Sequence, residues 1–456
     1  MAGIGFELRK LVEKGRLSTL GYALGYSFML ASGPTLISIS SIVGAGFVYS
    51  DMFGSVVRVF QVVVTHVVAY SLIISGCFQF FFTRYVADRL FEEKPDKVFP
   101  NLNGALSVAA LLSLLFGLVY YALFLRDLPP MFCLEFVVLL VLMSMNWVLN
   151  SLLTGLKGYR YIFLSYLSSY GAFLLAAYPL GKVLRLEGII LAFLLGQAIL
   201  FFSLYVKVFI DYHSEDFVDY EFLSPSKSYY ILVPIGFLYN LSIWADKFTF
   251  WYHPLTGTSV LGPFYASIVY DIPIFLAYIS IASGLAIMTL YLEAYFSQSY
   301  ERYYYLVVKG GTLKQLFEKA IDMAQEAKLV IVYTAFVQII TDSIILIFAE
   351  KIFGLLKLSV LYIPLFRIQL LGVTFQLLLT ALIAILFYYD RRKEVLVLTS
   401  FYTLSNVSTS VISIQVGPYF YGYGLVISSV FVFTLAYMYL RRFFGRLHYE
   451  TFMLVR

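Results

Sequence analysis

The residues best placed to do chemistry in this chain lie close together at Asn240, Trp244, Asp246 and Lys247, inside an apolar run from Tyr229 to Tyr252. A charged side chain at bilayer depth costs about 2.5–3.5 kcal/mol on insertion scales, so such groups face a bundle interior or a watery cavity. The chemistry open to them is ion pairing between helices, hydrogen bonding to a polar solute, or uptake of a proton or ion. Asp246 and Lys247 are neighbours, hence about 100° apart around a helix, and each is expected to find its own partner. Lys247 with Asp271 or Asp342, and Asp246 with Arg367, are the pairs that the other intramembrane charges suggest. His66, Glu135, Asn146, Asn150, Gln197, Glu293 and Asn406 are further polar groups within apolar runs or near their ends. The first half of the chain contributes chiefly His66 and Glu135 to the ionisable set; the second half holds most of it.

Signatures of catalysis are lacking. The four histidines, His66, His213, His253 and His448, are scattered without zinc-ligand spacing. There is no Gly-x-Ser-x-Gly elbow, no P-loop and no Asp-x-Asp metal motif. The pattern argues against a primary ATPase or a self-contained glycosyltransferase, and no metal or cofactor is expected. A route so sparse in cations is ill suited to a lipid-linked pyrophosphate, which calls for arginine or lysine clamps. It suits a neutral, hydroxyl-rich solute. Aromatics make up 19% of the chain, with 43 Phe and 39 Tyr; tyrosine has an apolar ring and a hydroxyl, which fits both membrane interfaces and sugar faces.

The elements that must carry these residues follow from composition. The 456 residues are 61% hydrophobic and 13% charged, with a mean hydropathy of +0.84; soluble domains are about one quarter charged. Apolar runs of about 20 residues, the length an α-helix needs to cross a bilayer, recur throughout. The expected fold is an all-α polytopic membrane protein of about twelve spans, near 18–49, 55–83, 103–125, 130–156, 161–181, 187–210, 228–252, 263–296, 327–349, 362–388, 394–416 and 420–441. Two six-helix lobes are expected, 18–210 and 228–441, joined by a cytoplasmic linker at 211–227. The linker is acidic and contains Pro225. Residues 1–17 read as an interfacial amphipathic segment, 297–326 as a cytoplasmic amphipathic segment within the second lobe, and 442–456 as a cytoplasmic tail. Lysines and arginines fall 24 against 6 between alternate connections, which places both termini in the cytoplasm. Pro34 and Pro273 each interrupt a span, remove a backbone donor and are candidate hinges. Cys77 and Cys133 lie in apolar runs and are expected to be free.

Several blocks carry a family resemblance. The opening Met1-Ala2-Gly3-Ile4-Gly5-Phe6-Glu7-Leu8-Arg9-Lys10-Leu11 resembles the start of the PelG family. So do Ser32-Gly33-Pro34, Leu238-Tyr239-Asn240, Trp244 with Asp246-Lys247, Tyr270-Asp271-Ile272-Pro273-Ile274-Phe275-Leu276-Ala277-Tyr278, and Gly417-Pro418-Tyr419-Phe420-Tyr421-Gly422-Tyr423-Gly424. Thr35 departs from the tryptophan associated with the family after the Gly-Pro. The resemblance implies a fold like the MOP flippase superfamily, which includes the MATE exporters, and passage of the Pel exopolysaccharide, rich in N-acetylgalactosamine, across the bacterial inner membrane. It implies as partners the cytosolic glycosyltransferase PelF, the cyclic-di-GMP receptor PelD and the membrane protein PelE. The first span, 18–49, holds no Asp or Glu, so the carboxylate many MATE exporters use there has no counterpart. The function expected is a non-enzymatic conduit between two lobes, fed by a cytosolic synthase, with Asp246, Lys247, Asp271, Asp342, Arg367, Asn240 and Trp244 along the seam. A flippase for a lipid-linked saccharide and a non-transporting scaffold are the alternatives.

Overall fold

The computed structural model describes residues 17–156, 158–225 and 228–453. Backbone groups in hydrocarbon must be bonded internally, which favours helices, and the apolar runs become helices. In chain order they are α1 (Leu17–Phe53), α2 (Ser55–Phe91), α3 (Val98–Tyr120, continued by a π turn at Tyr121–Leu125), α4 (Pro130–Gly155), α5 (Tyr159–Asp211) and α6 (Leu232–Tyr252). An antiparallel hairpin of β1 (Thr258–Leu261) and β2 (Phe264–Ala266) follows. Then come α7 (Ile268–Tyr291), a π turn at Leu292–Phe296, α8 (Ser297–Lys309), α9 (Leu313–Ile347), α10 (Ala349–Leu355), α11 (Ile363–Tyr388), α12 (Arg392–Val416), α13 (Tyr423–Phe444) and α14 (Leu447–Met453).

Among the described residues ten helices are long and apolar enough to cross a membrane. Straight, the 53 residues of α5 would measure about 80 Å, but Arg185 breaks the helix with φ 52 and ψ −117, so α5 supplies two crossings. α6, with 21 residues, has the length of a span and carries Asp246 and Lys247. The twelve spans read from the sequence are thus accounted for.

Packing divides the described residues into two compact units, one of Pro34–Ser267 and the other of 17–33 together with 268–453. These units differ from the sets 18–210 and 228–441, because α6 lies against α2. The local reason is a close crossing of two glycines. A Cβ on Gly236 would stand 1.9 Å from the carbonyl oxygen of Gly76, so the two backbones touch there. Asn240, one turn on, donates to Gln79 Oε1 at 3.2 Å.

The connection between α5 and α6 is also fastened down. Phe222 is fully buried against the rings of Phe81, Phe82 and Tyr85. Its backbone N–H donates to Asn101 Oδ1 at 3.0 Å, Asn103 donates to the Phe217 carbonyl at 2.7 Å, and the Asp219 N–H donates to the Pro100 carbonyl at 3.0 Å. Lys97 stands 3.6 Å from both Asp216 and Asp219, and Arg89 reaches Glu221 at 3.4 Å. The expected linker is therefore a strap bound to the start of α3.

In the other unit, α7 packs on α9 and α11, and α13 packs on α11 and α12. A capping box of Thr312 and Gln315 starts α9, which runs unbroken from its amphipathic opening into the span. Leu316, Ala320, Met323 and Ala327 are buried, whereas Leu313, Phe317 and Ile321 are exposed. The amphipathic segment expected at 297–326 is α8 plus the opening of α9. The tail docks through α14, whose His448 Nδ1 and Thr451 Oγ1 each lie 3.4 Å from the Tyr303 hydroxyl, and Glu450 pairs with Arg391. Of the interfacial segment expected at 1–17, all but Leu17 lies outside the described residues.

Candidate functional site

In the Pro34–Ser267 unit, α6 turns Asn240, Trp244, Asp246 and Lys247 inward, and all four are buried. Asp246 is 0% and Lys247 2% exposed. The Lys247 ammonium donates to Asp246 Oδ1 at 3.1 Å, to Oδ2 at 3.3 Å and to the Ile243 carbonyl at 2.9 Å. It also lies 5.8 Å from the Trp244 ring. Separate partners were expected because adjacent Cβ atoms diverge on a helix. The four-carbon lysine stem also curls back to the preceding carboxylate, a contact that Cβ directions alone do not suggest.

Trp244 and Trp251 join Ala69 and Ile73 of α2 in one apolar cluster. The His66 ring stacks on Trp251 at 4.4 Å and meets Phe264 of the hairpin edge-on at 5.4 Å; its Nδ1 bonds the Val62 carbonyl at 2.9 Å. Tyr70 and Tyr252 share a hydrogen bond of 3.0 Å. Glu135, on α4, is 3% exposed, and among the described residues neither carboxylate oxygen has a hydrogen-bond partner. This unit thus presents an internal ion pair beside an aromatic wall. Among the described residues no group of three His, Cys, Asp or Glu could hold a metal ion. Cys77 and Cys133 are free.

The other unit gathers its polar groups where α7, α9 and α11 meet. Asp342 on α9 accepts from Gln338 Nε2 at 2.8 Å and from Thr374 Oγ1 at 2.6 Å. Gln338 also donates to Ser280 Oγ at 3.0 Å, Ser283 and Thr341 are bonded at 2.8 Å, and Tyr278 donates to Gln376 Oε1 at 2.8 Å. Asp271 is half-buried in the first turn of α7, and Gln369 ties that turn to α11 through the Tyr270 carbonyl at 3.2 Å. Arg367 is exposed on α11. Sequence reasoning found Asp342 but missed Gln338, Ser280 and Thr374. The i, i+4 spacing of Gln338 and Asp342 was a usable signal; the contributions of α7 and α11 had none.

Both hinge candidates lie inside helices that continue through them, Pro34 in α1 and Pro273 in α7. Pro34 coincides with the boundary between the packing units, and on its N-terminal side Ser32 donates to the Ala282 carbonyl of α7 at 2.7 Å.

A family model described as "PelG: Putative exopolysaccharide Exporter (EPS-E)" matches residues 1–452. No curated protein matches the chain in sequence. Among solved structures, the chain is similar to an outward-facing multidrug resistance MATE family transporter of the MOP superfamily. The TM-score is 0.63 at 14% identity, covering 93% of this chain and 95% of that one. A MOP superfamily transporter from Pyrococcus furiosus, described as having a binding pocket of reverse polarity, matches with TM-score 0.60 at 15% identity, covering 92% and 96%. An inward-facing MATE family transporter matches with TM-score 0.53 at 15% identity, covering 92% and 95%. At these identities the likeness is one of fold.

Proposed function

The chain belongs to the PelG family of exopolysaccharide exporters, and from that premise we propose that it conducts the Pel polymer, rich in N-acetylgalactosamine, across the bacterial inner membrane from cytoplasm to periplasm. The observation that carries this reading is the family match over residues 1–452 on a MOP transporter fold; family and fold are those of a transporter rather than an enzyme. In the proposal both termini are cytoplasmic, and the polymer follows a cleft between two helical lobes. A cytosolic glycosyltransferase, PelF, feeds it, with PelD and PelE in the same complex. Chain growth supplies the driving force. Asn240, Trp244, Asp246, Lys247, Asp271, Asp342 and Arg367 border the route, and Pro34 and Pro273 flex it. In the conformation described, Asp246 and Lys247 act as a fixed internal dipole behind the Trp244 ring rather than as free charges.

Sealed inverted membrane vesicles carrying the complete complex test the reading. With a nucleotide-sugar donor outside, polymer is expected to accumulate in the lumen, protected from added glycosidase. Without this chain, synthesis should continue while protection is lost. Protection that persists would make the chain a scaffold, and accumulation of a polyprenol-linked intermediate would make it a flippase. If dissipating the proton gradient abolished protection but not synthesis, polymer growth would not be the driving force.

A further inference from the structure

We propose that the Asp342 cluster is a binding site for one small monovalent cation, a proton or a sodium ion. Asp342 is 9% exposed, and among the described residues no Lys, Arg or His lies within ion-pair distance of it. Its partners are neutral: the Gln338 amide and the Thr374 and Ser280 hydroxyls. A buried carboxylate without a counter-charge is costly in hydrocarbon, and neutral donors offset only part of that.

A second observation points to a missing cation. Gln338 is fully buried, and among the described residues its Oε1 has no hydrogen-bond partner, while its Nε2 donates to both Asp342 and Ser280. The cluster therefore surrounds one uncompensated carboxylate with neutral donors only and leaves one buried acceptor oxygen, Gln338 Oε1, facing no donor among the described residues. Turning the amide by half a rotation would aim Oε1 at the carboxylate. Two oxygens so placed repel unless a proton or a metal cation lies between them. With Oε1 turned inward, Asp342, Gln338, Thr374 and Ser280 offer an all-oxygen shell, the ligand type preferred by hard cations. The amide orientation thus reports occupancy: Nε2 toward the carboxylate when the site is empty, Oε1 when it is filled. Space behind the amide is tight, since a Cβ on Gly284 would lie 2.6 Å from Gln338 Oε1 and 2.4 Å from Leu377 Cδ2.

The charged groups on the surrounding helices leave the site to its own resources. Asp271 is in the first turn of α7, Arg367 is exposed on α11, and Glu326 and Lys328 lie far down α9. Tyr278 is engaged with Gln376. The proposal is independent of the transport reading, because a cation held here fixes α7, α9 and α11 together whatever the chain conducts.

The test uses the purified full-length chain in lipid nanodiscs. Two readouts are taken: melting temperature as sodium chloride replaces choline chloride at constant ionic strength near pH 8, and the infrared band of protonated carboxyl groups across a pH series. A saturable sodium-dependent rise in melting temperature, absent in Asp342→Asn and requiring about tenfold more sodium in Thr374→Val, assigns the site to sodium. No sodium effect, with a protonated-carboxyl signal that is missing from Asp342→Asn, assigns it to the proton. No sodium effect together with no carboxyl signal removed by the substitution overturns the proposal. Should Asp342→Asn fail to fold, Thr374→Val and Gly284→Ala keep the carboxylate and must still shift the sodium midpoint or the carboxyl band. Two folded variants with unchanged responses likewise overturn it.

Discussion

The crossing of α2 and α6 sets the cost of adding one methyl group at Gly236. In Gly236→Ala the new methyl would lie 1.9 Å from the Gly76 carbonyl oxygen and 2.9 Å from the Gly76 carbonyl carbon. A carbon and a carbonyl oxygen rest at roughly 3.3 Å, so the helices must part by roughly 1.4 Å. Both clashing atoms are backbone, so no side chain can move aside to relieve them. Overpacking of this kind costs about 1–3 kcal/mol. The same displacement stretches the bond from Asn240 to Gln79, now 3.2 Å, beyond useful range and adds about 0.6 kcal/mol. The expected loss is about 1.6–3.6 kcal/mol, read as a fall in melting temperature of the purified chain and a weaker monodisperse peak on size exclusion. Gly44→Ala and Gly171→Ala are the controls: a Cβ there meets nothing within 4 Å, and removing a helical glycine should be neutral or stabilising by up to about 1 kcal/mol. If Gly236→Ala melts together with the two controls, the close approach of α2 and α6 is not what holds α6 in place.

Lys247→Gln leaves the fully buried Asp246 without the ammonium now 3.1 Å away and should cost about 3–5 kcal/mol, whereas the double change Asp246→Asn with Lys247→Gln should cost less than the single one; equal melting temperatures for both would refute the pairing. Thr312→Ala removes the side chain that accepts from the Gln315 N–H and should cost about 1 kcal/mol, seen as faster amide exchange confined to the first turn of α9, with uniform exchange through α9 as the contrary result. Burial holds the His448 imidazole below its ordinary 6.5, so the docked tail favours the neutral ring. Its docking is at full strength above pH 6.5 and weakens as the pH falls below that value, because the undocked state then binds the extra proton. Amide exchange of α14, corrected for intrinsic rate, should rise on acidification in the wild type and not in His448→Phe; a rise in both would place the titration elsewhere.

Span number and membrane class were legible because apolar runs of about 20 residues have one physical solution in a bilayer. Even the two crossings of α5 were separable, since Lys182, Arg185 and Glu187 interrupt the apolar run where the backbone turns at Arg185. The placement of α6 was not legible. It depends on two glycines, Gly76 and Gly236, 160 positions apart, and glycine spacing says nothing about which other helix it will meet. The contact between Asp246 and Lys247 escaped notice because Cβ direction on a helix is fixed, whereas a lysine head is free to swing through several ångströms. Asp342 announced itself as a lone carboxylate in an apolar run. Its hydroxyl and amide neighbours, residues common in any helix, gained meaning only once α7, α9 and α11 were side by side.

The strap between α5 and α6 bears on how this chain can be cut. Residues 211–227 read in the sequence as a linker, and a linker taken for slack rope is where a chain would be divided. Here the rope is nailed to the deck: Phe222 fills a hole among Phe81, Phe82 and Tyr85, and Asn101 and Asn103 hold its backbone. Two separately expressed fragments divided inside 217–223 would each carry half of a lock. A break at the tip of the β1–β2 hairpin, after Gly262, falls next to a boundary that the molecule's own packing already draws at Ser267.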